Sequence, residues 1–451
     1  MRRKMQIMTV LTLATSLVAL SACSNSTGGT TKGTATASPG ATDTKNGKTA
    51  TPVKQKELKF WTHYKDTDPE QKWFQQMGQQ YTDTVDKSVK ITVESVPFDD
   101  YIGSKLISAF AAGEGPDNFL VAPPNMMKYY NAGILKDLTP YISPEAKKDF
   151  SPTAFDVTTV DSKIYGIPYE SDLIGLYYDK DLFDKNGLKP PTTWDELKAA
   201  ATKLKTDKKA GITFEVKASD FEVFMFSPFL WTTGADVFTA DRKHSALDSE
   251  GVIKALKFWR DLMQSGLVNQ KPSRGADDIG IIAEGETAMQ VDGSWVMGNL
   301  ESKYADKKIG VVPIPIPAGG KKATVAGGWK VVASAQSKNA EDAAKFAAWL
   351  FASSDPARSV AWDSQVKFAF PVRQSVLAQA KPVFDKGLRK DFTDNILGTE
   401  KAEMRITPEV SKILIDMIQK AMYKTDMSVE DIVKEANTKL EAFLKDFKGT
   451  M

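Results

Sequence analysis

One cysteine, Cys23, and two histidines, His63 and His244, are found among 451 residues. A single thiol excludes an internal disulfide, and so few Cys and His nearly exclude a zinc centre built from those ligands. The chain has no Gly-x-Ser-x-Gly elbow, no Gly-rich loop ending in Lys-Ser or Lys-Thr, and no Asp-x-Asp-x-Asp-Gly calcium loop. Gly113-Glu114-Gly115-Pro116-Asp117 is too acidic to cradle a phosphate and suits a turn between helix and strand. These gaps leave no expected metal or cofactor. Charge of one sign is also scarce. Residues 1–22 carry three basic groups and no acid, and residues 24–56 carry five lysines against one aspartate. That leaves residues 57–451 at −5 within a total of +2. A faintly acidic body is not a nucleic-acid binder by its field.

Long apolar runs are missing too, apart from residues 7–20, which fall short of the roughly 20 residues needed to span a bilayer. Arg2, Arg3 and Lys4 precede that run, and Leu20-Ser21-Ala22-Cys23 closes it. A basic start, a short apolar core and small residues at its end describe a secretory signal. Leu-Ser-Ala-Cys resembles the bacterial lipobox, which implies that Cys23 becomes an acylated (palmitate-bearing) first residue. Residues 1–22 are thus expected to be a lipoprotein signal peptide, and 23–56 a lipidated cysteine with a flexible tether. From 24 to 56 the chain is rich in Ser, Thr, Gly, Ala and Lys, lacks aromatics, and has Val53 as its single large aliphatic. Such a segment cannot bury enough apolar surface to offset its ordering entropy. The expected location is outside the cytoplasmic membrane and anchored to it, since more than one acyl chain gives stable attachment.

What is present beyond residue 57 is an ordinary globular composition, 42% hydrophobic and 10% aromatic, in a length that calls for two domains. Strand and helix signals alternate: strand 58–62, helix 71–81, strand 89–96, helix 104–112 stopped by Gly113, strand 118–121. That order implies a parallel sheet with crossover helices. A second set begins with strand 173–178. Thr193-Trp194-Asp195-Glu196 is a capping box, Ser249 caps a helix with Val252, Leu256, Trp259 and Met263 on one face, and 289–292, 309–314 and 330–334 are strands. Ser428 caps a last helix. The class is α/β with at least two sheets.

Several strand-end loops join aromatics to hydrogen-bonding side chains: Phe60-Trp61-Thr62-His63-Tyr64, Pro168-Tyr169-Glu170-Ser171-Asp172, Phe229-Leu230-Trp231-Thr232-Thr233, Val291-Asp292-Gly293-Ser294-Trp295 and Gly327-Gly328-Trp329. In open sheets ligands bind beyond the carboxyl ends of the strands. Sugars need this mixture, because their C–H faces pack on rings while carboxylates and amides accept from hydroxyls. Trp194 and Trp259 lie within helix patterns and are expected in the core. Trp61, Trp231, Trp295 and Trp329 sit at junctions where a ligand contact and core packing are equally plausible.

The run Gly285-Glu286-Thr287-Ala288-Met289-Gln290-Val291-Asp292-Gly293-Ser294-Trp295 resembles the signature of carbohydrate-binding proteins of ABC importers, the maltodextrin-binding type. Lys59-Phe60-Trp61, Gly113 to Asp117, Tyr165-Gly166-Ile167-Pro168, Tyr177 to Phe183 and Pro191 to Leu197 agree with it in collinear order. The resemblance implies a two-lobed, periplasmic-binding-protein-like fold, each lobe a mainly parallel sheet flanked by helices. It also implies a multi-strand hinge, crossed near 170–172, 326–329 and 370–373. The lobes would be 57–170 with 329–370, and 171–327 with 371–451. The resemblance further implies a non-catalytic receptor, monomeric, that closes on a carbohydrate and presents it to a transmembrane permease.

Carried over residue by residue, Trp295 matches the stacking Trp. Asp172 falls where a carboxylate accepts sugar hydroxyls, and His63 to Asp66 match a first-lobe contact loop. Trp61, Tyr169, Glu170, Trp231, Asp292 and Trp329 complete the expected ligand set, and Arg373 either touches ligand or orients the hinge. Two stretches depart from the maltodextrin pattern: Asn118 to Asn125 lacks the charged contact loop, and 407–416 lacks a second stacking Trp. An oligosaccharide other than maltodextrin fits better. A receptor for a non-sugar solute and a surface glycoside hydrolase using Glu170 and Asp292 are the alternatives.

Overall fold

The computed structural model describes residues 55–449 apart from residue 153. The expected signal, Cys23 and the tether up to residue 54 lie outside the described residues. Lys56 already belongs to the folded body, as the first residue of strand Lys56–Thr62 and 2.7 Å from Asp342. No helix among the described residues is long and apolar enough to cross a membrane.

Buried apolar residues fall into a first core, drawn from 58–169 and 331–362, and two adjoining cores drawn from 173–325 and 370–440. The first lobe is built on a five-stranded sheet. Lys56–Thr62 pairs in parallel with Val89–Ser95 and with Asn118–Val121, and Lys330–Ala333 runs antiparallel between Asn118–Val121 and Ile167–Pro168. Helix Pro69–Thr84 starts on a proline, whose missing N–H costs nothing at that position. It buries Trp73, Phe74 and Tyr81 on one face. Phe74 meets Phe60 of the sheet edge-on at 5.1 Å. The three parallel strands point their carboxyl ends, and so His63 and Val96, toward the second lobe.

The second lobe departs from the expected parallel sheet. Its central strand, Ile174–Asp179, is flanked by Met289–Gly293 and Ile309–Val312, both antiparallel. The reason lies in the connectivity. Ile174 leaves the hinge, whereas Gly293 pairs with Ile174 and Val312 with Leu176, so both flanking strands return toward the hinge. Parallel pairing survives in the short ladder of Thr324–Ala326 with Glu400–Ala402 and in isolated bridges such as Thr213 with Gln290. The capping box at Thr193 and Glu196 is present, and Ser249 and Ser428 accept from the backbone as helix caps.

A second departure concerns residues 229–233, expected as a loop. They end the helix Asp220–Thr232, which continues through Pro228. Its apolar residues are buried all round, so they show no helical periodicity, and an internal proline reads as a breaker.

Three segments pass between the cores side by side. Ser171 and Phe370 exchange backbone hydrogen bonds at 2.8 and 3.0 Å, and Gly327 N donates to Asp172 O at 2.9 Å. Gly328 has φ +91°, and a side chain there would come within 2.6 Å of the Glu170 carbonyl, so only glycine fits this crossing.

Candidate functional site

The crossings carry a cluster of buried ionisable groups. Glu170 is fully buried; Trp362 Nε1 donates to one of its oxygens at 2.9 Å and Trp329 N to the other at 3.2 Å. Burial, and then the charge of Asp172, push its carboxyl up to about 8 against the pull of Lys367. Burial raises Asp172 as well; Lys367, Lys330 and the Ser294 hydroxyl, 3.4 Å away, oppose that rise. Lys367 is itself shielded, which favours its neutral form, yet Glu170, Asp172, Glu70 and Asp68 outweigh this and raise its ammonium. Lys330 is lowered by burial and donates to the Gly328 carbonyl at 2.8 Å. Glu403 is pushed to about 8 by burial, with Lys330 pulling the other way.

On either side of this cluster lies an aromatic wall. On the first lobe, the His63 ring lies 4.1 Å from Trp329 at a 34° tilt, with Phe98 and Tyr101 edge-on to both. Burial, then the Lys367 charge, hold the imidazole well below the usual histidine range, so it is neutral at neutral pH. Its Nε2 has no hydrogen-bond partner. On the second lobe, Trp295 packs on Phe221 and Phe224 at 6.1 and 6.2 Å. The Trp295 ring lies so close over Gly293 that a Cβ there would overlap it at 1.8 Å. Phe224 also lies against Gly327, two residues before Trp329. The walls therefore meet at the hinge. Near the mouth, Asp277 of the second lobe lies in the fields of Asp99 and Lys65 of the first.

Not all of the expected residues gather here. His63, Trp329, Trp295, Glu170 and Asp172 do. Asp292 lies directly beneath, fully buried, taking Gln290 Nε2 at 2.9 Å and Gly293 N at 2.8 Å. Burial pushes it well above the usual carboxylate range, so it shapes the floor under Trp295. Asp66 is exposed on the loop after His63. Trp61 stays half-buried on its strand, its Nε1 donating to Glu94 at 2.7 Å.

Three expectations need correction. Tyr169 is 1% exposed and stacks on Phe351 at 4.5 Å; it is core, because the rings of Phe351, Phe74 and Trp362 enclose it. Trp231 is also 1% exposed, its Nε1 donating to Asp236 at 3.2 Å. It sits about 15 Å farther along its helix than Phe221, at roughly 1.5 Å per residue. Arg373 is 3% exposed, 2.7 Å from Asp149, and donates to the Phe351 carbonyl at 3.1 Å. Of its two readings, the structure favours the brace beside the hinge.

Sequence reasoning missed Phe221, Phe224 and Asp220 at the start of their helix, and Lys330, Lys367 and Glu403 at the hinge. The signal for the first group was present: Ser219 is a capping residue, accepting from Glu222 N at 3.2 Å, and it fixes where the helix begins and which side chains it presents. The hinge lysines carry no local signal, because the carboxyls Glu170 and Asp172 that face them lie far away in sequence.

Known proteins are similar to this chain in sequence and fold. The family model described as "Bacterial extracellular solute-binding protein" matches residues 35–355. A binding protein of Brucella abortus (strain 2308) is 28% identical over 267 residues, covering 58% of this chain and 64% of that one. A maltotriose-binding protein of Pyrococcus abyssi is 26% identical over 301 residues, 64% of this chain and 62% of the relative. The matches thus span a little less than two thirds of these relatives. Among solved structures, the cyclic alpha-maltosyl-1,6-maltose binding protein of Arthrobacter globiformis is 25% identical with a TM-score of 0.69, covering 87% of this chain and 100% of its own.

Proposed function

Since the chain belongs to the bacterial extracellular solute-binding protein family, we propose that it captures a carbohydrate, most simply an oligosaccharide, between its lobes and delivers it to the permease of an ABC importer. Membership of this family makes it an extracytoplasmic binding protein. The observation that carries the carbohydrate reading is the pair of aromatic walls, His63–Trp329 and Trp295–Phe221–Phe224, on opposite sides of one hinge. Rings on both sides can sandwich the C–H faces of a sugar. The free His63 Nε2 and the Asp220 and Asp66 carboxylates supply polar partners for its hydroxyls. Named relatives that bind maltotriose and a cyclic maltosaccharide support the same class.

In this reading the ligand touches both walls only when the lobes are closed, so it shifts the population toward the closed form that the permease recognises. The moving bodies are 57–170 with 329–370 and 171–327 with 371–451. Acylated Cys23 and the tether that precedes the strand Lys56–Thr62 hold a monomeric receptor at the membrane surface. A hydrolase reading is disfavoured physically: Glu170 and Asp292 are fully buried with both oxygens of each already accepting hydrogen bonds, whereas a general acid must face its substrate. A thermal-shift screen against mono- and oligosaccharides, with amino acids, polyamines and inorganic anions as controls, tests the proposal. A ligand specific to the folded state raises the melting temperature by mass action. A rise with one sugar class, the sugar recovered intact, is expected. A rise only with a control solute would replace carbohydrate by that solute.

A further inference from the structure

Lys367 stands at the third crossing with its charge answered and its bonds unfilled. Glu170, Asp172, Glu70 and Asp68 together keep its ammonium charged against the effect of burial. None of the four touches it. Among the described residues Lys367 makes no hydrogen bond and no ion pair, and its ammonium lies 5.2 Å over the Tyr64 ring. An ammonium carries three N–H donors, and leaving them unfilled in a shielded position costs free energy. Its neighbours differ: Lys330 donates to the Gly328 carbonyl at 2.8 Å, and Arg373 to Asp149 at 2.7 Å.

The backbone on both sides of Lys367 is unusual. Trp362–Val366, just before it, is a turn of π-helix, a form frequent at functional sites. Phe368, just after it, is held at φ +60°, which is uncommon for a bulky side chain. Phe368 meets the second lobe, where the Arg389 guanidinium lies 4.0 Å over its ring, while Lys367 lies on Tyr64 of the first. The strained residue is thus where the chain swings between lobes, and strain of this kind concentrates at functional sites. Asp172 complements the lysine. One of its oxygens accepts from the Ser294 hydroxyl at 3.4 Å, and the other has no partner among the described residues. It lies in the field of Lys367 without forming an ion pair with it. An ammonium with free donors beside a carboxylate with a free oxygen suits a hydroxyl, which accepts from the first and donates to the second. An anion suits it poorly, because Asp172, Glu70 and Asp68 already surround the ammonium.

We propose that Lys367 contacts the ligand, gripping one sugar hydroxyl together with Asp172, and that this pair selects neutral over acidic sugars. The inference rests on the carbohydrate reading and narrows it. Calorimetric titration of maltotriose, cellotriose, mannotriose and raffinose into the full chain tests it, with trigalacturonate as the acidic counterpart. At least one neutral trisaccharide should bind, and more tightly than trigalacturonate. Lys367→Met and Asp172→Asn should each raise its dissociation constant about tenfold, as loss of a hydrogen bond to a charged group does. The double variant should lose no more than the weaker-binding single one, because both changes release the same hydroxyl. Lys367→Arg keeps the charge that Glu170 and Asp172 require, so it should hold the melting temperature. It should still lose affinity, since a flat fork does not replace a compact ammonium. Wild-type affinity in Lys367→Met, full rescue by arginine, additive losses in the double variant, or tighter binding of trigalacturonate than of every neutral sugar would each overturn this inference alone. Failure of every neutral trisaccharide to bind would overturn the carbohydrate reading and this inference with it.

Discussion

The hinge and the aromatic walls adjoin one another and are built on opposite principles. At the hinge several strong polar groups are spent on a neighbour: Glu170 on Trp362 and Trp329, Lys330 on Gly328, Arg373 on Asp149. On the walls polar atoms are left over, as with His63 Nε2, and Trp329 and Trp295 are only partly buried. A group whose hydrogen bonds are complete has little to offer a ligand, while an unsatisfied one beside a ring is costly until a ligand arrives. The comparison teaches that nearness to the cleft does not make a ligand contact; spare bonding capacity does. Changes at the hinge should therefore appear in stability, and changes on the walls in affinity.

The largest effect is expected from Arg373→Ala. It leaves Asp149 without its guanidinium and the Phe351 carbonyl without a donor. Breaking a buried pair by removing one partner costs about 3–5 kcal/mol. Urea unfolding reads this directly, and the solute affinity of the folded fraction should be unchanged. A loss of affinity with intact stability would mean that Arg373 belongs to the walls after all. Trp295→Ala is the opposite case. It should weaken solute binding by about 1–3 kcal/mol, as lost stacking in a desolvated site does. Its cost in stability should be smaller than that of Arg373→Ala, since Trp295 is only partly buried. Calorimetric titration beside a melting curve separates the two, and a collapse in stability at unchanged affinity would move Trp295 into the core.

These two residues also show what the sequence made legible. Trp295 was readable because its surroundings are local: a strand ending in Asp292-Gly293 puts the indole over the glycine and the carboxylate. Trp194 and Trp259 were readable as core from helical spacing, and they are 5% and 0% exposed. The strand Val89–Ser95 followed from alternation, and Asn118–Val121 as a short buried strand. Trp231 misled because an apolar helix with no polar face looks like a strand and its loop. The antiparallel pairing of the second sheet was invisible for another reason: strand direction depends on which segments leave the hinge and which return, and that is fixed by contacts between distant parts of the chain. Lys330 and Lys367 were missed for the same reason.

A weaker test of the hinge uses pH. Glu170, Glu222 and Glu403 are each pushed up to about 8, burial being the first cause in every case. A carboxyl with a folded pKa above its unfolded value keeps its proton in the native state while the unfolded chain has lost it. The unfolded state then binds fewer protons, and stability falls as pH rises from the unfolded value through the folded one. His63, lowered in the folded state, acts in the opposite sense only up to about its unfolded value of 6.5. Between pH 7 and 8 the carboxyls therefore act without it, and stability should fall by at most about 1 kcal/mol per group over that unit. Glu222 isolates the effect, because it lies in the second lobe's helix with Gln419 as its hydrogen-bond donor, away from the hinge lysines. In Glu222→Gln the melting temperature should decline less between pH 7 and 8. An undiminished slope would show that Glu222 is ionised in the native protein.

The smallest effect should come from Asp66→Ala, and it sharpens the boundary of the walls. Asp66 follows His63 by three residues but is exposed to solvent. An exposed carboxylate that trades water for a sugar hydroxyl gains little, because a hydrogen bond made at the expense of one to solvent contributes only about 0.5–1.5 kcal/mol even when it is well placed. Stability should move by less than about 0.5 kcal/mol, and the solute dissociation constant by less than about threefold. His63→Phe keeps the ring against Trp329 and removes the unpartnered nitrogen, so beside it the contrast becomes quantitative. If affinity resides in spare bonding capacity next to a ring, the histidine change should exceed the aspartate change. The reverse ranking would place the polar half of the site on the exposed loop and leave the His63–Trp329 pair as a stacking surface alone.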